Sequence, residues 1–154
     1  MKIVLSILPI IASVLFTSCS EHNAFKPFEY THQKSLNEDT ILTLKIKKGE
    51  RVDGIVSVVY LNKVFPKEYK TKEYFYVYYY LKDTNETLSF SLNGKEPLFV
   101  EDLQAETKFS TLSAFDAPWS KYKLVTFQKE GNILNFKITT NKAANATLHF
   151  IKDK

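Results

Sequence analysis

Apolar and polar residues alternate along most of the chain after residue 40, as expected for β-strands that each have one buried face. In the first such run, for example, Leu42, Leu44 and Ile46 alternate with Thr and Lys. Short alternating runs then recur, separated by Gly, Asn, Asp and Pro. The pattern predicts about eight strands, at 41–47, 56–60, 74–81, 87–92, 97–100, 122–127, 134–138 and 148–150.

Many short strands with tight connections are typical of a sandwich or a barrel. We expect an all-β fold, an antiparallel β-sandwich that is loosely immunoglobulin-like and has a core that includes Leu88, Phe90, Leu134, Phe136 and Leu148. Asn93-Gly94 tolerates the positive φ of a type I′ turn, so it predicts a hairpin with 97–100 as the return strand. The last three strands resemble a meander. The one helical candidate is the first part of 101–113.

The N-terminus has a different pattern. Met1-Lys2 is followed by an apolar run of 14 residues, 3–16, interrupted only by two Ser and one Pro. About 20 apolar residues are needed to span a membrane, so this run is too short and instead fits a secretion signal.

The residues after that run resemble the lipobox of bacterial lipoproteins, in which small residues precede a cysteine that is lipidated and becomes the first residue after cleavage. Thr17, Ser18 and Cys19 match the pattern, whereas Phe16 stands where Leu is usual. The resemblance implies a signal peptide at 1–18 and acyl chains, such as palmitate, on Cys19. The alternative is an ordinary secretion signal followed by a chance cysteine.

The resemblance predicts the location, and together with the polar residues before the first alternating run it predicts the domain layout. Residues 19–40 form a polar, lipidated tether, and residues 41–154 form the β-sandwich domain. Ser20 follows the cysteine where the enterobacterial sorting rule needs Asp for inner-membrane retention, so we expect the outer membrane. His22 and His32 lie in the tether, where solvated side chains are favoured over a two-histidine metal site.

Composition narrows the possible partners. The chain has 154 residues, 44% of them hydrophobic and 14% aromatic, enough for one domain with a real core. Its formal net charge is +4, but Arg51 is the only arginine, so a nucleic-acid partner is not expected. The single cysteine, Cys19, has no disulfide partner within the chain.

Signals for catalysis are weak. His149 is the only histidine of the domain, and it alternates with apolar residues, which predicts a solvent-facing side chain. There is no glycine-rich phosphate loop and no nucleophile elbow. Acids at Glu101, Asp102, Glu106 and Asp116 are candidates for paired carboxylates in glycoside hydrolysis, but acids are also common in first helical turns and in loops. We expect no enzyme, no catalytic residue, no metal and no cofactor.

The strand at 73–81 is the most unusual feature, because alternation gives it two apolar faces. One face carries Tyr74, Tyr76, Tyr78 and Tyr80. Either this row is a surface platform for glycan, peptide or a protein partner, or it packs beneath the 101–120 loop with Trp119.

Two further segments suggest contacts with other molecules. The loop 63–72 interleaves lysine with aromatic residues, so it is either a solvated loop or a contact for anionic head groups or acidic glycans. Asn85-Glu86-Thr87 is a sequon at the hairpin tip expected at 83–87, and Asp83 completes an acidic acceptor pattern that resembles periplasmic N-glycosylation sites. We expect Asn85 to be exposed and to be the glycosylation candidate, in preference to Asn145.

These observations favour a non-catalytic envelope lipoprotein. Its expected contacts are the membrane, through the lipid at Cys19, and another envelope protein whose complex it binds or helps to assemble. The alternative is a lipoprotein that holds glycan or peptide on the tyrosine row.

Overall fold

The computed structural model describes residues 40–113, 118–142 and 144–152. Each of the eight expected strands is present in that part of the chain, and the all-β prediction is confirmed. The strands are β1 (Ile41–Lys48), β2 (Arg51–Tyr60), β3 (Glu73–Leu81), β4 (Leu88–Leu92), β5 (Phe99–Leu103), β6 (Lys121–Phe127), β7 (Ile133–Thr140) and β8 (Asn145–Ile151). The short helix α1 (Leu61–Val64) follows β2, and a 3-10 turn covers Ser110–Leu112.

The strands form two antiparallel sheets packed as a β-sandwich. The larger sheet has the order β1-β2-β3-β6-β5, and the smaller has the order β4-β7-β8. Their facing side chains form one apolar core, in which the rings of Phe75 and Phe136 lie 4.7 Å apart between centroids. Within the described residues, no helix is both long and apolar enough to cross a membrane.

The expected core is largely confirmed. Phe90, Leu134, Phe136 and Leu148 are buried, while Leu88 is only partly buried and packs against the edge of the core. Leu134 and Phe136 lie on β7 and Leu148 lies on β8, and both strands belong to the smaller sheet. Alternation along the chain therefore correctly predicted the inner face of that sheet.

The expected hairpin at Asn93-Gly94 and the expected meander of the last three strands were both wrong. Asn93 and Gly94 do adopt positive φ, at 51° and 80°, but the turn closes only a single bridge, from Leu92 to Lys95. The chain then crosses to the other sheet, where β5 pairs with β6 instead of returning along β4. The last three strands are not a meander, because β6 lies in the larger sheet and β7 and β8 lie in the smaller.

The helical candidate was also wrong. Asp102 and Leu103 belong to β5, and the only helical turn described in 101–113 is the 3-10 turn. Pairing with β6 fixes the start of this segment as a strand, because the tertiary partner outweighs the weak local helix preference of a few acidic residues.

Candidate functional site

Of the two alternatives for the tyrosine row, burial beneath a covering segment is the one observed, and the surface platform is wrong. Tyr76 and Tyr78 are 0% and 1% exposed, and Tyr74 and Tyr80 are half-buried. They belong to a second apolar cluster on the outer face of the larger sheet. The larger sheet is therefore buried on both faces along its centre, which explains why β3 is apolar on both sides.

Two segments cover this outer face. Phe109 lies over Tyr76 with ring centroids 5.2 Å apart, and Leu112 from the 3-10 turn is buried beside it. Tyr69, from the loop after α1, packs on Tyr74 with ring centroids 4.7 Å apart and also lies 6.3 Å from the Phe109 ring. Trp119, which was expected to join the cover, is 51% exposed.

Strand β5 has the opposite environment. It is an edge strand, and no β5 residue belongs to the sandwich core, because the three-stranded sheet does not extend over it. Phe99 is 64% exposed and Val100 is 45% exposed, and Leu98 just before the strand is also exposed. The ammonium of Lys72 lies 5.2 Å from the centre of the Phe99 ring.

The hydrogen-bonding direction of β5 follows from its register with β6. Thr126 is the partner of Phe99, and its carbonyl points towards β5, since it accepts a 2.7 Å bond from the Leu98 N–H. Neighbouring residues of a strand direct their backbone groups to opposite sides. Val100 and Asp102 therefore direct their N–H and C=O groups away from the sheet, and no strand of the described residues pairs with them.

Edge strands usually carry features that discourage pairing with another chain. Strand β1, at the other edge of the same sheet, has three lysines. Strand β5 has no lysine. Its charges are the exposed Glu101 and Asp102, and the Asp102 carboxylate is paired with the ammonium of Lys123. Strand β5 thus combines exposed aromatic and aliphatic side chains with outward-facing backbone groups that no described strand pairs with.

A buried carboxylate lies at one end of the sandwich, where β3 begins. Glu73 is fully buried and accepts a 2.6 Å hydrogen bond from the Tyr60 hydroxyl and a 3.0 Å bond from the Glu130 N–H. Its other close partner is the ammonium of Lys152, and the ammonium of Lys129 lies 4.0 Å away. Burial, followed by the hydrogen bond to Glu73, raises the pKa of Tyr60 far above its usual value. Glu73 was not among the site residues predicted from the sequence.

Four lysines surround an open pocket at the same end of the molecule. The pocket has a volume of about 400 Å³ and is lined by Tyr60, Asn62, Lys63, Pro66, Tyr69, Lys70, Lys129 and Lys152. Half of this lining comes from the basic loop 63–72 that was predicted from the sequence. Asn62 anchors the loop, because its side chain donates to the Lys72 carbonyl at 2.6 Å and accepts from the Tyr74 N–H at 2.8 Å.

The sequon lies in a loop that crosses between the sheets. It is not a hairpin tip, because β3 and β4 belong to different sheets. The exposure of Asn85 is confirmed. Its N–H donates to the Asp83 carboxylate at 2.9 Å, and the ammonium of Lys142 pairs with the same carboxylate and lowers the pKa of Asp83. Asn145, at the start of β8, is exposed as well.

The remaining sequence candidates are not brought together. Glu101 and Asp102 are neighbours on β5, so their side chains point to opposite faces, and Glu106 lies beyond the strand. His149 is exposed and its ring nitrogen lies 2.7 Å from the Asn135 side-chain oxygen. Within the described residues, no three His, Cys, Asp or Glu side chains form a group suited to a metal ion. Cys19, His22, His32 and Asp116 lie outside those residues.

Comparison with known proteins adds no relative. No model of a known protein family matches the chain, and neither a curated protein nor a solved structure matches it.

Proposed function

We propose that this protein is a non-catalytic lipoprotein of the cell envelope that binds another envelope protein along β5. The observation that carries the proposal is the exposed apolar edge of that strand. Phe99 and Val100 offer apolar contacts, and Val100 and Asp102 offer two N–H and two C=O groups to an added strand. In strand addition, backbone hydrogen bonds provide affinity and alternate side chains provide specificity.

Charge favours a partner of a different sequence over a second copy of this chain. A symmetric antiparallel pairing that used the free groups of both Val100 and Asp102 would place Glu101 directly opposite Glu101 of the copy. Like charges at directly opposite positions destabilise a strand pair. An extended segment with apolar residues and a lysine or arginine facing Glu101 would complement the edge instead.

The cellular location in this proposal rests on the N-terminal sequence. The apolar run 3–16 and the lipobox-like Thr17-Ser18-Cys19 support export, lipidation and, with Ser20, the outer membrane. Two or more acyl chains anchor a protein stably, whereas one alone binds marginally. A tether of about twenty residues would then present the sandwich to proteins near the membrane surface.

Site-specific photo-crosslinking in living cells tests the proposal. A photoreactive amino acid at Phe99 should give an adduct with one envelope protein, identifiable by mass spectrometry. The matched control is the same amino acid at Ser89, which is exposed on β4 of the other sheet. The proposal fails if position 99 gives no adduct, gives the same adducts as position 89, or gives only an adduct of two copies of this chain or an internal crosslink to the tether.

A further inference from the structure

The backbone of β5 sets the direction and the register of a strand added to its edge. Every pairing in the larger sheet is antiparallel, and antiparallel pairing is the more stable kind, so we expect the added strand to run antiparallel to β5. Val100 and Asp102 direct their N–H and C=O groups outward, so each exchanges two hydrogen bonds with the partner residue opposite it. Glu101, between them, then faces a residue at a non-hydrogen-bonded position, where opposite side chains are closest.

The face of β5 that carries Val100 and Asp102 offers an apolar contact and a charge that is already matched. Lys123 lies directly opposite Asp102 on β6, and its ammonium pairs with the Asp102 carboxylate. Val100 is exposed. A β-branched aliphatic residue opposite Val100 suits this surface, and an uncharged residue opposite Asp102 leaves the ion pair intact.

The other face of β5 carries Phe99, Glu101 and Leu103. Glu101 is exposed and lies opposite Leu124 of β6, which is apolar and partly buried. Leu103 is partly buried as well, so the main apolar surface left open on this face is the ring of Phe99. A positively charged residue therefore complements Glu101, and an aromatic residue complements Phe99.

We propose that β5 recognises a segment in which a lysine or arginine, a β-branched aliphatic residue and an aromatic residue follow one another in that order. This inference rests on the strand addition proposed above. The order follows from the antiparallel direction, because the partner residue opposite Val100 comes one position after the residue opposite Glu101, and the residue opposite Phe99 comes one position later still. A parallel strand would need the reverse order. Backbone hydrogen bonds hold any such strand, so these three side chains provide the specificity.

A fluorescently labelled peptide tests the pattern, with anisotropy measured against the full chain in phosphatidylcholine nanodiscs. The probe is Thr-Leu-Thr-Lys-Val-Phe-Thr. One control peptide has Glu in place of Lys, and the other has the residues of the probe in reverse order. We expect the probe to bind about fivefold more tightly than the Glu peptide, because a like-charge pair replaces an opposite-charge pair at Glu101. The reversed peptide should also bind more weakly, since its Phe no longer lies opposite Phe99.

Charge reversal on the protein completes the test. In Glu101→Lys the preference should reverse, so that the Glu peptide binds more tightly than the probe. The matched control is Glu50→Lys, which reverses an exposed acid in the turn between β1 and β2 and should keep the preference of the unaltered chain. No detectable binding of the probe, equal binding of the three peptides, or the same preference in Glu101→Lys as in Glu50→Lys would overturn the inference.

The cellular crosslink distinguishes this failure from failure of the proposed function. The adduct of an envelope protein with position 99 does not depend on any of the peptides. If that adduct forms while the peptides fail, strand addition stands and the residue pattern is wrong. If the adduct is absent as well, both proposals are wrong.

Discussion

The buried contacts of Glu73 allow a quantitative prediction about the stability of the sandwich. Its carboxylate accepts hydrogen bonds from Tyr60, Glu130 and Lys152, and none of its surface is exposed. Glu73→Ala leaves the buried Tyr60 hydroxyl without its acceptor, and the Lys152 ammonium loses its carboxylate and keeps only the Glu130 carbonyl. Breaking a buried ion pair from one side costs about 3–5 kcal/mol. A typical domain has only about 5–15 kcal/mol in total, so the loss should be conspicuous.

A double-mutant cycle separates the ion pair from the lost packing. In Glu73→Ala/Lys152→Met the second change removes the stranded charge, so the double variant should lose less stability than the two single variants added together. Residues in direct contact show coupling of about 0.5–3 kcal/mol. Glu96→Ala, which removes an exposed acid, is the matched control and should change stability by no more than about 0.5 kcal/mol.

Urea unfolding followed by circular dichroism gives each free energy. The reasoning is refuted if Glu73→Ala is as stable as the Glu96→Ala control, or if the effects of Glu73→Ala and Lys152→Met are simply additive. The first result would mean that the carboxylate is dispensable. The second would mean that the two side chains do not interact in the folded protein.

Four further predictions use other parts of the molecule. Phe136→Ala should cost about 3–5 kcal/mol in urea unfolding, as truncation of a fully buried ring does, and an unchanged midpoint would contradict the assigned core. The free energy of unfolding should fall as pH rises above about 10. Folding raises the pKa of Tyr60, and raises the pKa of Tyr79 to about 12, so the unfolded chain loses these protons at lower pH than the folded chain. Tyr60→Phe should make the loss of stability with pH smaller. Cys19→Ala should abolish labelling by a fatty-acid analogue and leave unprocessed precursor; persistent labelling would exclude lipidation there. In a host with periplasmic N-glycosylation, Asn85→Gln should lower the intact mass by one glycan, and a mass change equal to the substitution alone would exclude it.

Alternation along the chain was enough to find every described strand and most of the core, because each strand has at least one apolar face. It could not say which strands pair. Asn93 and Gly94 adopt their positive φ for local reasons, yet the strand that follows pairs with β6, about 25 residues further along the chain. Such pairings depend on how two sheets close on each other, and the turn residues carry no information about that.

The candidate sites, too, could be predicted only in part from the sequence. Alternation showed that Tyr76 and Tyr78 share a face, but the cover comes from Phe109 and Leu112, in a segment without periodicity. The lysine pocket combines a loop visible in the sequence with Lys129 and Lys152, which only the fold brings there. Glu73 could have been predicted from the sequence. It is two residues before the core-facing Phe75 on the same strand, so it places an acid in an otherwise apolar row.

Blocking the free edge of β5 tests the central claim most directly. Val100→Pro removes an N–H that points away from β6, and proline is tolerated on edge strands in that orientation, so β5 should remain in its sheet. Val100→Thr keeps the N–H and suits a strand, which makes it the matched control. With the photoreactive residue at position 99, the account predicts that the adduct with the envelope partner is lost in Val100→Pro and retained in Val100→Thr, while the circular dichroism of both variants is unchanged. Equal adduct yields from the two variants would contradict strand addition along β5.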